Sequence, residues 1–120
     1  MTDSNNRKRV YISGPYSGGK WGTNIKRAVE EAEAVAEAGH VPFIPHSMTA
    51  LWSILHEKSG EEWLEQDYSW IEACDALIRI PGESPGGDKE VMYASSLNMP
   101  IYSSADSFIE AQGDNVFIEQ

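Results

Sequence analysis

The chain reads as an α/β fold: a parallel sheet of four or five strands with helices on both faces. Short apolar runs alternate with segments of helical period along most of its length, the order that a parallel sheet with crossover helices requires. Breaks containing Gly or Pro follow the strand-like runs, at Gly14-Pro15, Pro45 and Pro81-Gly82. The 120 residues are 41% hydrophobic and 23% charged, ordinary values for one globular domain with its own core. We therefore expect a single domain over residues 1–120, with polar residues 1–8 flexible at its start.

Arg9-Val10-Tyr11-Ile12-Ser13 is the first strand, ended by Gly14-Pro15, and Tyr16 to Gly22 is a glycine-containing loop. Thr23 is the N-cap candidate of the first helix. From Asn24 to Ala38, Ile25, Ala28, Val29, Ala32, Val35 and Ala36 recur on one helical face. Glu30, Glu31, Glu33 and Glu37 take the wet face, and Gly39 is the stop. Val41-Pro42-Phe43-Ile44 is a second strand, whose proline suits a sheet edge. His46 to Glu57 is weakly helical, with Met48, Leu51, Trp52 and Leu55 on one side, and Lys58-Ser59-Gly60 breaks it. Glu61 to Cys74 is a clear helix carrying Trp63, Leu64, Tyr68 and Ile71 at helical spacing, with Asp67 near its middle. Ala76 to Ile80 is a buried strand. After the Pro81 to Gly87 loop, Asp88 to Asn98 is a helix, Pro100-Ile101-Tyr102 a short strand, and Ser107 to Gln112 a turn or two of helix. Val116-Phe117-Ile118 is a last strand or a docked tail.

Several function classes fall away. The chain holds 19 acidic against 9 basic side chains, a net charge of −10. That argues against a nucleic-acid polymer or an anionic membrane as partner, both of which call for a basic surface. A single phosphate is still allowed, because backbone amides can hold one locally. One cysteine, Cys74, leaves no intramolecular disulfide, so a reducing cytoplasm is the expected location and Cys74 a buried structural thiol. No signal peptide or membrane span is expected. His40, His46 and His56 lack a metal-binding spacing and there is no second cysteine, so no metal is expected. Gly18-Gly19-Lys20 is not a P-loop and no G-x-G-x-x-G occurs, so no dinucleotide cofactor is expected. His46 reads as a surface histidine that could otherwise line a crevice; Trp52, Trp63 and Trp70 read as core or subunit-contact residues, with stacking on a nucleobase as the alternative.

Right-handed crossovers place the loops after the strands along one sheet edge, where ligands bind near the reversal of strand order. The loops after Ser13 and Ile80 should meet there. Tyr11 and Ser13 lead into Gly14-Pro15; Ser84, Gly86, Gly87, Asp88 and Glu90 follow the third strand. With Asp88 and Glu90 read into the first helical turn, the helix dipole should keep Glu90 ionised. An ionised carboxylate at a glycine-rich loop is a candidate nucleophile or base. Each residue has a plainer reading as well: Glu90 as an acid placed for the dipole, Asp67 as a solvated helix acid, Tyr11 as a core aromatic. Helix-face arithmetic alone does not decide whether Asp67 reaches the crevice.

Tyr11-Ile12-Ser13-Gly14-Pro15-Tyr16-Ser17-Gly18-Gly19, then Asp67-Tyr68-Ser69-Trp70-Ile71 with Cys74-Asp75-Ala76, then Gly82 to Glu90 with Ala94, resemble the nucleoside 2-deoxyribosyltransferase-like superfamily. The likeness is to a small branch related to the 2′-deoxynucleoside 5′-phosphate N-glycosidases, and covers about Val10 to Tyr102. It implies a flavodoxin- or Rossmann-like sheet, no cofactor, and cleavage or transfer at the N-glycosidic bond of a 2′-deoxynucleoside or its 5′-monophosphate. It also implies Glu90 as nucleophile, Tyr11 as the group orienting it, and Asp67 as a sugar contact or proton donor to the base. Ser13, Gly14, Pro15, Ser84, Gly86, Gly87 and Asp88 become substrate contacts. Ser84 stands where related nucleotide hydrolases carry a serine beside the 5′-phosphate, although those often have basic residues where this chain has Pro15-Tyr16-Ser17. Retaining chemistry implies carboxylates about 5–6 Å apart. The resemblance further implies a homo-oligomer, a neighbouring subunit completing each site. The alternative is a non-catalytic nucleotide-binding or sensing module of the same fold.

Overall fold

The computed structural model describes residues 7–15 and 21–113. In chain order it contains β1 (Arg9–Ser13), α1 (Trp21–Glu37), β2 (Val41–Phe43), α2 (Pro45–Leu55), α3 (Gly60–Glu72), β3 (Ala76–Arg79), α4 (Pro85–Ser96), β4 (Ile101–Tyr102) and α5 (Ala105–Ala111). The strands lie in the order β2-β1-β3-β4, each pair parallel. This is the expected α/β architecture. Pro42 pairs with Val10 from the edge strand β2, where a residue without an N–H does least damage to the ladder.

β1 lies inside the sheet, and Val10, Tyr11, Ile12 and Ser13 are all fully buried. A parallel strand covered on both faces reads as a continuous apolar run for this reason. Alternation then sorts its side chains. Val10 and Ile12 join Ile78, Ile80, Ala28, Ala32, Val35 and Phe108 under α1 and α5, whereas Tyr11 and Leu77 join Ile71 and Ala94 under α3 and α4. Each fully buried aliphatic side chain contributes about 1.5–3 kcal/mol, so both layers carry substantial weight.

The helix boundaries shift where capping chemistry acts. α1 begins at Trp21, so Thr23 lies inside its first turn rather than capping it. Its end has paired bonds from Gly39 N–H to the Ala36 carbonyl and from His40 N–H to the Val35 carbonyl, a Schellman closure at the expected stop. Of the six apolar positions, Ala28, Ala32 and Val35 are buried while Val29 and Ala36 are exposed, because the sheet accepts only a narrow stripe. α3 opens on a capping box: the Ser59 hydroxyl accepts from Glu62 N–H and Glu62 accepts from Ser59 N–H. α4 opens at Pro85, three residues earlier than expected, with Ser84 as N-cap. α5 opens at Ala105 behind Ser104, and Phe108 anchors it.

α2 is the largest departure. It buries Pro45, His46 and Ala50, while Leu51, Ile54 and Leu55 are 71%, 75% and 80% exposed. Of the side that carries Met48, Leu51, Trp52 and Leu55, Leu51 and Leu55 therefore face outward. The expected loop at residues 16–20, the first six residues and Val116-Phe117-Ile118 lie outside the described residues.

Candidate active site

Strand order reverses between β1 and β3, since the chain leaves β1 for β2 on one side and later returns to β3 on the other. The carboxyl ends of β1 and β3 therefore flank a crevice. They are stitched together there: Ile80 N–H donates to the Ser13 carbonyl at 2.7 Å. Gly82, at φ +132°, lies so close that a Cβ would stand 2.7 Å from Pro15 Cγ. The two loops meet as expected, and only glycine permits both that backbone angle and that approach.

A cavity of about 360 Å³ opens at this edge, a size common for small-molecule sites. Its walls come from the end of β1 (Gly14, Pro15), the start of α2 (Pro45, His46, Thr49), one face of α3 (Gly60, Trp63, Leu64, Asp67), and the loop and helix after β3 (residues 83–87 and Glu90). Trp63 and Asp67 are four residues apart on α3 and so share a face. That decides the open question about Asp67: it reaches the crevice.

Glu90 is the centre of the polar cluster and only 7% exposed. Its Oε1 accepts from Ser13 Oγ at 2.7 Å and its Oε2 from the Tyr11 hydroxyl at 3.1 Å. Asp67 is within hydrogen-bonding reach of both Glu90 and Tyr11. Burial, followed by the adjacent Asp67, pushes Glu90 up to about 8. Burial also raises Asp67, against the lowering effect of its bonds to Glu90 and Tyr11. Tyr11 is held well above its usual value by burial and then by the two carboxyls. Two acids this close cannot both ionise cheaply, so the pair keeps one proton between them. The expectation that the helix dipole keeps Glu90 ionised is thus overturned. With α4 starting at Pro85, Glu90 is six positions in, past the reach of the dipole, and desolvation dominates.

Of the other expected contacts, Gly14, Pro15, Ser84, Gly86 and Gly87 line the cavity. Ser13 and Tyr11 stand behind Glu90 and act on it. Asp88 is not on the wall; its exposed carboxylate pairs with Arg79 at 2.9 Å. The Ser84 hydroxyl is engaged as the N-cap, accepting from Gly87 N–H at 2.9 Å. Ser-Pro, a cap residue followed by proline at the first helical position, is a sequence signal for that start. His46 and Trp63 had a place at the crevice only as alternative readings, and both line the wall. His46 is buried, its Nε2–H donating to the Pro15 carbonyl at 3.0 Å, and burial lowers its pKa so the ring is neutral near pH 7. Trp63, read from sequence as core or subunit contact, forms wall; its four-residue spacing from Asp67 was the available signal. Cys74 is partly buried, its thiol pushed up to about 11 mainly by burial, and forms no part of the cavity wall. Among the described residues no group of three or more His, Cys, Asp or Glu side chains could hold a metal ion, and no helix is long and apolar enough to cross a membrane.

The sheet order and crevice define an α/β fold shared with a solved 2-deoxyribosyltransferase from the psychrotolerant bacterium Bacillus psychrosaccharolyticus. The match has a TM-score of 0.57 at 18% sequence identity and covers 78% of this chain and 69% of that one. Residues 8–104 match the family described as a domain of unknown function (DUF7768), and the chain belongs to that family. No curated protein matches it in sequence.

Proposed function

We propose that the protein cleaves or transfers at the N-glycosidic bond of a 2′-deoxynucleoside, with Glu90 forming a covalent glycosyl ester. The observation that carries this reading is the convergence of Tyr11, Ser13 and Asp67 on the buried Glu90 at the cavity wall. Likeness in fold to a 2-deoxyribosyltransferase supports it.

In the ground state the pair shares one proton. For reaction that proton moves to Asp67 along their hydrogen bond, leaving Glu90 anionic and held by the Tyr11 and Ser13 hydroxyls. A Glu90 oxygen forms a bond to C1′ as the C1′–N bond breaks through an oxocarbenium-like state. The bonding electrons leave on the base nitrogen, which takes the proton from Asp67. Water or a second base then attacks C1′, giving its proton to the Asp67 carboxylate as the C1′–O bond to Glu90 breaks, so that the pair again holds one proton. Lack of a 2′-hydroxyl removes an electron-withdrawing group beside C1′, so deoxy substrates react more easily. Trp63, one turn before Asp67, offers an aromatic wall for the base.

The described wall contains Asp67, Glu83 and Glu90 but no Lys or Arg. Like charge therefore favours the uncharged nucleoside over its 5′-monophosphate, and Ser84 serves the helix first. The test is purified protein incubated with deoxynucleosides and their monophosphates, with and without an acceptor base. Free base released without acceptor identifies a hydrolase; exchange only with acceptor identifies a transferase. Turnover should be faster on nucleosides and abolished by Glu90→Ala. No turnover, with Glu90→Ala binding nucleosides as wild type does, overturns the catalytic reading. Thermal stabilisation by nucleotides without turnover would identify the sensing module instead.

A further inference from the structure

Arg79 is a largely buried cation that the proposed site chemistry does not use. Arg79 ends β3 directly before the wall loop, and its side chain is only 16% exposed. Its guanidinium lies beneath the loop and donates to the Ile80 carbonyl, to the Gly82 carbonyl at 3.0 Å and, at a longer 3.5 Å, to the Ser84 carbonyl. Its remaining reach goes to Asp88 at 2.9 Å. Arg27 on α1 adds a contact to the Pro81 carbonyl at 3.4 Å.

The loop sequence makes this arrangement necessary. Ile80 and Ser84 precede Pro81 and Pro85, so their peptide units accept hydrogen bonds but carry no N–H of their own. Chain segments of this kind find few backbone partners, and the planar five-donor fork of arginine can serve several carbonyls together. Gly87 is part of the same construction: a Cβ there would stand 3.0 Å from Arg79 Nε, 3.1 Å from Cζ and 2.9 Å from Ser84 Oγ. Arg79 is absent from the cavity wall, whereas residues 83–87 form it. The guanidinium therefore draws these carbonyls off the cavity side.

We propose that Arg79 is a positioning residue: it holds residues 80–88 in the one shape that forms the substrate wall and starts α4 in line with Glu90. Its charge is spent on the loop's own carbonyls and Asp88. The effect on substrate rests on the function proposed above; the effect on the loop does not.

The experiment pairs Arg79→Lys and Arg79→Ala with Gly87→Ala, which keeps the charge but crowds the guanidinium. Hydrogen exchange of peptides covering residues 80–88 should accelerate about tenfold or more in all three variants, with the β1 peptide unchanged. KM for the deoxynucleoside should rise about tenfold while kcat stays within about threefold, because the partners of Glu90 sit on β1 and α3. Millimolar guanidinium should restore both readings in Arg79→Ala, and not in Gly87→Ala. Unchanged loop exchange in Arg79→Lys and Gly87→Ala overturns the proposal even if activity falls. Accelerated exchange with KM unaltered overturns the substrate role. If the wild type turns over no nucleoside, the proposed function fails, and loop exchange with its guanidinium rescue still decides whether Arg79 holds the loop.

Discussion

At Glu90 two effects of opposite sign meet, and their sizes decide the outcome. A helix N-terminus stabilises a carboxylate by about 0.3–1 kcal/mol and only within the first turn. Burying an ionised group costs several kcal/mol before its hydrogen bonds are counted. Desolvation therefore dominates, and the pKa rises from an ordinary 4.5 to about 8. Between those values the folded protein keeps a proton that the unfolded chain has released. Stability is therefore fully present below about pH 4.5 and falls as pH rises through about 8; Asp67, also raised, adds in the same direction. Glu90→Gln should accordingly raise Tm over wild type by a larger margin at pH 8 than at pH 5, while losing turnover. Equal margins at both pH values in thermal melts would show that Glu90 is not protonated in the folded state. With nucleoside saturating, kcat should follow a bell, since the reacting form is the pair with one proton.

At the scale of elements, the start of α4 sets the geometry of the site. Ser84 caps it, Pro85 fits its first position, and Glu90 is thereby carried one and a half turns in to face Tyr11 and Ser13. Ser84→Ala should cost about 1 kcal/mol, the usual worth of an N-cap, seen in urea denaturation with an unchanged m-value. It should also slow turnover of nucleoside and monophosphate by the same factor. A selective loss on the monophosphate would instead assign Ser84 to the phosphate. The elements were legible wherever apolar periodicity was strong: β1 and the Trp63, Leu64, Tyr68 and Ile71 spacing of α3 follow directly from the sequence, whereas the side to which Asp67 turns did not. Helix starts were less so. Thr23 and the Gly86-Gly87 pair look like boundaries by residue type, yet the caps that form depend on which hydroxyl meets which N–H.

At the scale of the molecule, charge is unevenly spread. The chain carries −10, yet α2 (Pro45–Leu55) contains no Asp, Glu, Lys or Arg and turns Leu51, Ile54 and Leu55 outward. This is a surface on which two copies of an acidic chain can meet without opposing carboxylates, and exposed apolar rows of this kind mark contacts. We expect the homo-oligomer that the sequence resemblance implies to form through this face. Light scattering should give at least twice the chain mass, and Ile54→Lys should reduce that to the monomer without unfolding. A monomeric wild type at tens of micromolar would dismiss the assembly and leave the α2 face unexplained.

The sequence by itself determined the parallel α/β order and the edge position of β2, because periodicity and proline chemistry are local properties; it offered Tyr11, Asp67 and Glu90 as candidates, each beside a plainer reading. The tertiary structure decided how they meet. It brought Asp67 against Glu90, buried Glu90 and half-buried Asp67, and so replaced an ionised nucleophile with a pair sharing a proton. It left Asp88 off the cavity wall, set buried His46 and half-buried Trp63 in that wall, and placed Arg79 beneath the loop. Burial and proximity between segments distant in the chain set these energies, and neither is a property of any segment alone.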